Sequence, residues 1–175
     1  MQEGFYKQIS ESINKSLLNG LLFALVNFWY IWLLLLIVVI VKITRRFNRI
    51  YKMNKAGLPE IDKMSGEDFE IFLEQLFKKH SYKVERVGRM ADYGGDLIIE
   101  KNNIKTAVQA KRWNNPVNVK AIQEINTAKA HYDAIKAMVV TNSRFTSNAI
   151  LLAKENQVEL VDRKKLAALI LKKHK

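Results

Sequence analysis

Three polar side chains in the middle of the chain are spaced so that a hairpin would gather them at one end. Asp96 to Lys101 and Ile104 to Lys111 are strand-forming runs separated by Asn102-Asn103, a pair that tolerates positive φ and closes a two-residue loop. Counting back from Lys101 opposite Ile104 puts Asp96 opposite Gln109, and Lys111 shares the face of Gln109 because side chains alternate. A loop one residue longer would turn every face over. A carboxylate and an amide oxygen are hard ligands suited to Mg²⁺, or to Mn²⁺ in its place. Phosphodiester hydrolysis needs a water made acidic by such a metal and a positive charge near the phosphate, which Lys111 could supply. Glu70, on the border of an apolar helix face, could add a second carboxylate. The plain alternative is a cross-strand surface ion pair worth under ~1 kcal/mol.

The elements that must position these residues follow from periodicity. Ser65 to Asp68 reads as a capping box opening a helix that runs to about His80, with Phe69, Phe72, Leu73, Leu76 and Phe77 on one face. Tyr82 to Val87 is strand-like, and Gly88 to Gly95 reads as a loop holding three glycines. Gly94-Gly95 serves the tight turn before Asp96 and cradles no phosphate, because neither GxGxxG nor a P-loop follows. A second amphipathic helix covers about 119–132, and Lys136 to Thr141 is an apolar strand of buried type. A helix starts near Thr146, Val158 to Val161 is a short strand, and a final helix begins about Arg163. The order αβββαβαβα defines an α/β domain whose sheet mixes a hairpin with crossovers.

Composition narrows the classes. The 175 residues carry 29 Lys and Arg against 17 Asp and Glu, a formal charge of +12, which calls for a polyanionic partner. There is no cysteine, so a disulfide scaffold, a Cys zinc site, an iron–sulfur cluster and a thiol nucleophile are excluded. Leu21 to Val41 has no charged residue and one amide, Asn27, and reads as a transmembrane helix. Residues 1–20 form a short extracytoplasmic segment, with Phe5, Ile9, Ile13 and Leu17 recurring as in an amphipathic helix. Residues 42–61 read as a basic juxtamembrane linker and 62–175 as the folded domain. Six bases and no acid in 42–55 put the N-terminus outside and the domain in the cytoplasm of a single-pass membrane protein. The same bases could hold anionic lipid, but residues 56–175 still have 21 Lys and Arg against 15 acids, which favours nucleic acid.

Ala107-Val-Gln-Ala-Lys-Arg-Trp113, preceded by Tyr93-Gly-Gly-Asp-Leu-Ile-Ile99, resembles the Mrr-type restriction endonuclease family of the PD-(D/E)XK nuclease superfamily. The resemblance continues through Gly66-Glu-Asp-Phe-Glu70, Leu76-Phe77, Tyr82-Lys-Val84, Gln123-Glu124, Val139-Val-Thr-Asn142, Phe145-Thr146 and Val158-Glu-Leu160, and so covers about 62–170. It implies a restriction-endonuclease-like mixed central sheet flanked by helices. It also implies that Asp96 and Gln109 bind Mg²⁺, that Glu70 assists the metal, and that Lys111 is the catalytic lysine. Gln109 stands where most of the superfamily has an acid, as in Mrr-like members, and Gly95 replaces the motif's proline. Gln123 is similar to a residue that faces the cleft.

Arg112, Trp113, Lys120, Arg86 and Arg89 could line a groove that contacts phosphates, with a solvated basic face as the bland alternative. His80 and His131 stand near helix C-termini, where positive charge is mildly stabilising. Asp92 is explained by turn chemistry. The reading is a membrane-anchored, Mg²⁺-dependent endonuclease acting on DNA in restriction of foreign or modified DNA. Double-strand cleavage needs two active sites, which a homodimer would provide. The alternative is a non-catalytic, membrane-tethered nucleic-acid-binding module, for which an intact Asp96, Gln109 and Lys111 set has no use.

Overall fold

The computed structural model of the chain describes residues 2–54, 57–87 and 93–172. Internal contacts divide it into two units, Met1–Asn48 and Arg49–Lys175.

The N-terminal unit corrects one expectation. Instead of a spanning helix over 21–41, two helices meet inside the apolar run: α1, Gln2–Asn27, and α2, Trp29–Asn54. Phe28 interrupts them, and the amide of Asn27 caps locally by donating to the Phe23 carbonyl at 2.8 Å. The uncharged part of α2, Trp29 to Val41, is only 13 residues, about 20 Å of helix against a ~30 Å hydrocarbon core. Lys42 and Arg45 follow on the same helix. Among the described residues no helix is long and apolar enough to cross a membrane. The bases expected in a linker lie largely on α2, which continues to Asn54. A four-residue helix, α3 (Leu58–Ile61), comes next.

The second unit is built on a mixed sheet. Its elements are α4 (Gly66–Lys79), β1 (Lys83–Arg86), β2 (Leu97–Lys101), β3 (Ile104–Lys111), α5 (Val119–His131), β4 (Lys136–Thr141), α6 (Ser147–Glu155), β5 (Val158–Val161) and α7 (Arg163–Leu171). The five strands lie in sequence order. β1, β2 and β3 are antiparallel neighbours, and β3, β4 and β5 are parallel ones. Side-chain caps set the helix starts as oxygen-bearing N-cap residues do: Ser65 accepts from the Asp68 N–H, Thr146 from Ala149, and Asp162 from Lys165.

Both faces of the sheet are covered. Phe69, Phe72, Leu73, Leu76 and Phe77 of α4, with Leu166 of α7, pack on Leu97, Ile99, Val108 and Val140. On the other face Ala121, Ile122, Ile125 and Ala128 of α5, with Ala149 and Ala153 of α6, pack on Ile98, Ala107, Ala137 and Val139. This is why β4 is apolar from Ala137 to Val140: a parallel strand buried on both sides has no polar face. The small alanines let α5 and α6 approach the sheet closely.

The hairpin has the register read from its loop, from Lys101 opposite Ile104 to Leu97 opposite Val108. Asn102 and Asn103 both adopt positive φ, 52° and 62°. Because β3 is parallel to β4 and β5, and β2 runs against it, the start of β2 and the ends of β3, β4 and β5 lie at one edge of the sheet. The crevice outside the carboxyl ends of parallel strands is where such folds place ligand sites.

Candidate active site

Asp96 stands one residue before β2, where the ladder gives way. Its N–H donates to Val108 O at 2.9 Å, and its carboxylate accepts from the Ala110 N–H at 2.7 Å. One carboxylate oxygen is thus pinned to the backbone of β3, between Gln109 and Lys111. Burial pushes the Asp96 carboxyl up to about 6; the Ala110 N–H and the Lys111 charge oppose this, and the charges of Glu70 and Glu124 add to it. The Glu70 and Glu124 charges therefore act at the same site from opposite faces of the sheet.

Gln109 is 2% exposed and its amide is fixed by α5. Its Nε2 donates to Glu124 Oε2 at 2.7 Å, and the Lys111 ammonium donates to the same oxygen at 3.0 Å. A carboxylate can only accept, so the amide nitrogen must face Glu124 and the carbonyl oxygen must face away. That oxygen, Gln109 Oε1, is buried without a hydrogen-bond partner. A buried acceptor left unmet costs free energy of the order of 1–3 kcal/mol, and a cation beside it removes the penalty. Lys111 and the Gln109 amide hold the Glu124 carboxyl below its usual range despite partial burial.

Glu70 is paired with Arg86 at 2.9 Å across α4 and β1. Among the described residues no group of three or more His, Cys, Asp or Glu is arranged to hold a metal ion. The acceptor set differs from such a group: Asp96, the orphaned Gln109 oxygen and neighbouring carboxylates. Oxygen donors of this kind, with one unmet, fit a hard divalent cation that keeps part of its water shell.

The residue on α5 that enters the site is Glu124. Gln123, expected there, is exposed. Glu124 lies at i+3 from Ala121 and i−4 from Ala128, both buried, which places it at the edge of the packed ridge; that spacing is visible in the sequence. The loop before Asp96 is laid against the same helix. Gly94 has φ +83°, and a Cβ there would stand 2.6 Å from Glu124 Cβ and 2.8 Å from its backbone, so only glycine allows the approach. Tyr93 stacks on His131 with ring centroids 3.8 Å apart. His80 ends α4, and its ring nitrogen meets Leu169 O at 2.9 Å.

The residues expected to touch phosphates are divided. Trp113 is 47% exposed, and its N–H donates to the Asn142 side chain. Arg112 donates to Asn114 at 3.2 Å. Lys120 projects into solvent, 3.8 Å from Glu124. Arg86 is committed to Glu70. Arg89 and Asp92 lie outside the described residues. A cluster not foreseen lies beyond β4: Arg163 holds Asp62 through two hydrogen bonds, at 2.6 and 2.8 Å, and the Asn142 amide donates to Asp62 at 2.9 Å.

The type IV methyl-directed restriction enzyme EcoKMrr of Escherichia coli (strain K12) is 30% identical over 123 residues, 65% of this chain. The chain spans 40% of the length of that relative. The solved structure of the DNA modification-dependent restriction endonuclease AspBHI superposes with a TM-score of 0.54 at 19% identity, over 68% of this chain and 35% of the other, a likeness of fold. The Mrr_cat family model, described as restriction endonuclease, matches residues 61–170. With well over half of its length matched, and a mixed sheet presenting Asp96, Gln109 and Lys111 at one edge, the chain belongs to the Mrr_cat restriction endonuclease family.

Proposed function

We propose that this chain is a metal-dependent endonuclease that hydrolyses DNA phosphodiester bonds and acts on foreign or modified DNA. The observation that carries the reading is the buried, unpartnered Gln109 oxygen on a hairpin end that also presents the half-buried Asp96 carboxylate and the partly exposed Lys111 ammonium. Asp96 and Gln109, with Glu70 at the border, would hold Mg²⁺ or Mn²⁺. The metal, when bound, supplies a Lewis acid at the phosphate and lowers the pKa of its water.

The chain's own groups do the rest. Ala110 N–H orients Asp96, and Glu124 orients Gln109 so that its oxygen points away from α5. Lys111 donates to Glu124 and has two further N–H donors for a phosphate oxygen, where they would stabilise the negative charge that grows during reaction. The excess of bases in residues 56–175 supplies the electrostatic attraction to the backbone. The methyl-directed and modification-dependent activities named for the two similar proteins suggest modified DNA as substrate; the parts of those proteins that this chain does not match leave the recognised modification to be assigned by assay.

The test is cleavage of methylated and unmethylated plasmid with Mg²⁺, Mn²⁺ or EDTA, run beside Asp96→Ala and Lys111→Ala. Metal-dependent cutting lost in both variants supports the reading. Binding of DNA without cutting, unchanged in both variants, refutes it in favour of a non-catalytic binding module.

A further inference from the structure

The same edge of the sheet carries a second recess. Two residues beyond Lys111 the chain reaches Trp113, and behind the indole lies an open cleft of about 650 Å³, within the ~300–1,000 Å³ of small-molecule sites. Trp113, Asn114, Asn142, Arg144, Arg163 and Lys164 line it, from the ends of β3, β4 and β5.

Its charges are not equivalent. Asp62 is paired with Arg163 and Asn142, and Asp162 is engaged as the cap of α7, so against Arg144, Arg163 and Lys164 the lining keeps a net positive charge. Arg144 and Lys164 are exposed and make no ion pair among the described residues. An exposed indole flanked by unpaired bases is the combination that binds single-stranded nucleic acid: a stacking platform beside cations for the backbone. The backbone under the indole is anchored, since the Trp113 main-chain N–H donates to the Asn142 side chain at 2.9 Å and the Asn142 amide in turn donates to Asp62.

Distance links the cleft to the site. Two residues of chain span at most about 7 Å, roughly two base steps of stacked DNA at ~3.4 Å. A strand whose phosphate is held at Lys111 therefore passes within a few nucleotides of the Trp113 indole once the reach of the two side chains is added. A paired base, stacked on both sides, cannot offer its face to an indole.

We propose that this cleft receives an unpaired nucleobase next to the cut position, stacked on Trp113, with Arg144 and Lys164 at the flanking phosphates. The proposal rests on the nuclease reading only for the identity of Lys111 as the phosphate-side residue.

The experiment uses the full chain in EDTA, so that binding is read apart from cleavage. The probes are a duplex carrying one bulged 5-iodouracil and the same duplex fully paired. Stacking on an aromatic side chain is worth ~5- to 150-fold in affinity per base. The expected result is tighter binding of the bulged duplex by about tenfold, a photo-crosslink at Trp113, loss of the preference in Trp113→Ala, and its retention in Trp113→Phe. Affinity of Trp113→Ala for the paired duplex should stay within about twofold of the parent, which shows that the variant is folded. Equal affinity for the two duplexes, or an equal loss for both in Trp113→Ala, overturns the proposal. Metal-dependent cutting by a protein without bulge preference overturns the cleft alone, whereas absence of both binding and cutting overturns the nuclease reading with it.

Discussion

Replacing Asp96 by Asn should make the metal-free protein more stable, by an amount that grows with pH. The folded-state pKa of Asp96 is raised to about 6 from 3.8, chiefly by burial. A carboxyl with a raised folded pKa contributes stability below its unfolded pKa and loses it as pH rises through the folded one. At ~1.4 kcal/mol per unit, the ionised group costs about 3 kcal/mol at pH 8 and only about 0.5 kcal/mol at pH 4. Asn keeps the shape and can still accept the Ala110 N–H, so the substitution removes the charge and little else. With about 3–4 °C of melting temperature per kcal/mol, Asp96→Asn should melt roughly 10 °C higher at pH 8 and within about 2 °C of the parent at pH 4. Calorimetry in EDTA reads both. Adding Mn²⁺ at pH 8 should raise the parent's melting temperature and leave the variant's unchanged, because only the parent keeps the anionic ligand. A gain that does not vary with pH, or a loss at pH 8, would refute the argument that a desolvated charge is held at this position for a cation.

Three further outcomes are expected. Lys111→Ala should lower single-turnover cleavage by ~10²–10³ while changing DNA affinity less than tenfold, since the lysine acts on charge that develops during reaction; equal losses in both would assign it to binding. Gly94→Ala should destabilise the domain by about 2 kcal/mol or more in urea, because φ +83° and a 2.6 Å approach to Glu124 Cβ are both forbidden to it, and wild-type stability would show that the loop can leave α5. Asp62→Ala should cost about 1–2 kcal/mol by the same measurement, mostly from stranding the buried Asn142 amide, and a neutral result would mean that water replaces the carboxylate.

Much of the domain was legible because its signals are local. The Asn102-Asn103 loop dictates the register of β2 and β3, and the continuous apolar run from Ala137 to Val140 marks a strand covered on both sides. The helices expected to open at Ser65, near Thr146 and at about Arg163 begin within a residue of those positions. What escaped depended on three dimensions. Residues 21–41 have the composition of a span, but a break at Phe28 splits the run into two helices, which a hydropathy window does not register. On α5 the resemblance singles out Gln123, which is exposed, whereas the contact with Gln109 and Lys111 is made by Glu124; one residue is a 100° rotation, and the spacing from Ala121 and Ala128 puts Glu124 on the sheet side. The departure of Asp96 from the ladder, with its N–H on Val108 and its carboxylate on Ala110, could not be read from an ideal register. The Asp62–Arg163 pair joins positions 101 apart in sequence and carries no local signature.

The order of strands in the sheet is the order in which a ribosome delivers them. Each new strand is added at the free edge of those already made, and none has to be threaded between two earlier neighbours. Glu70, Asp96, Gln109 and Lys111 all precede the first crossover helix, so the chemical groups are synthesised, and can be brought together by a short-range meander, before α5 arrives to seal them with Glu124. The parallel half is then laid down as a backing. Vectorial growth of this kind leaves β1 as one fixed edge and moves only the other, so a single growing edge at a time awaits its next strand.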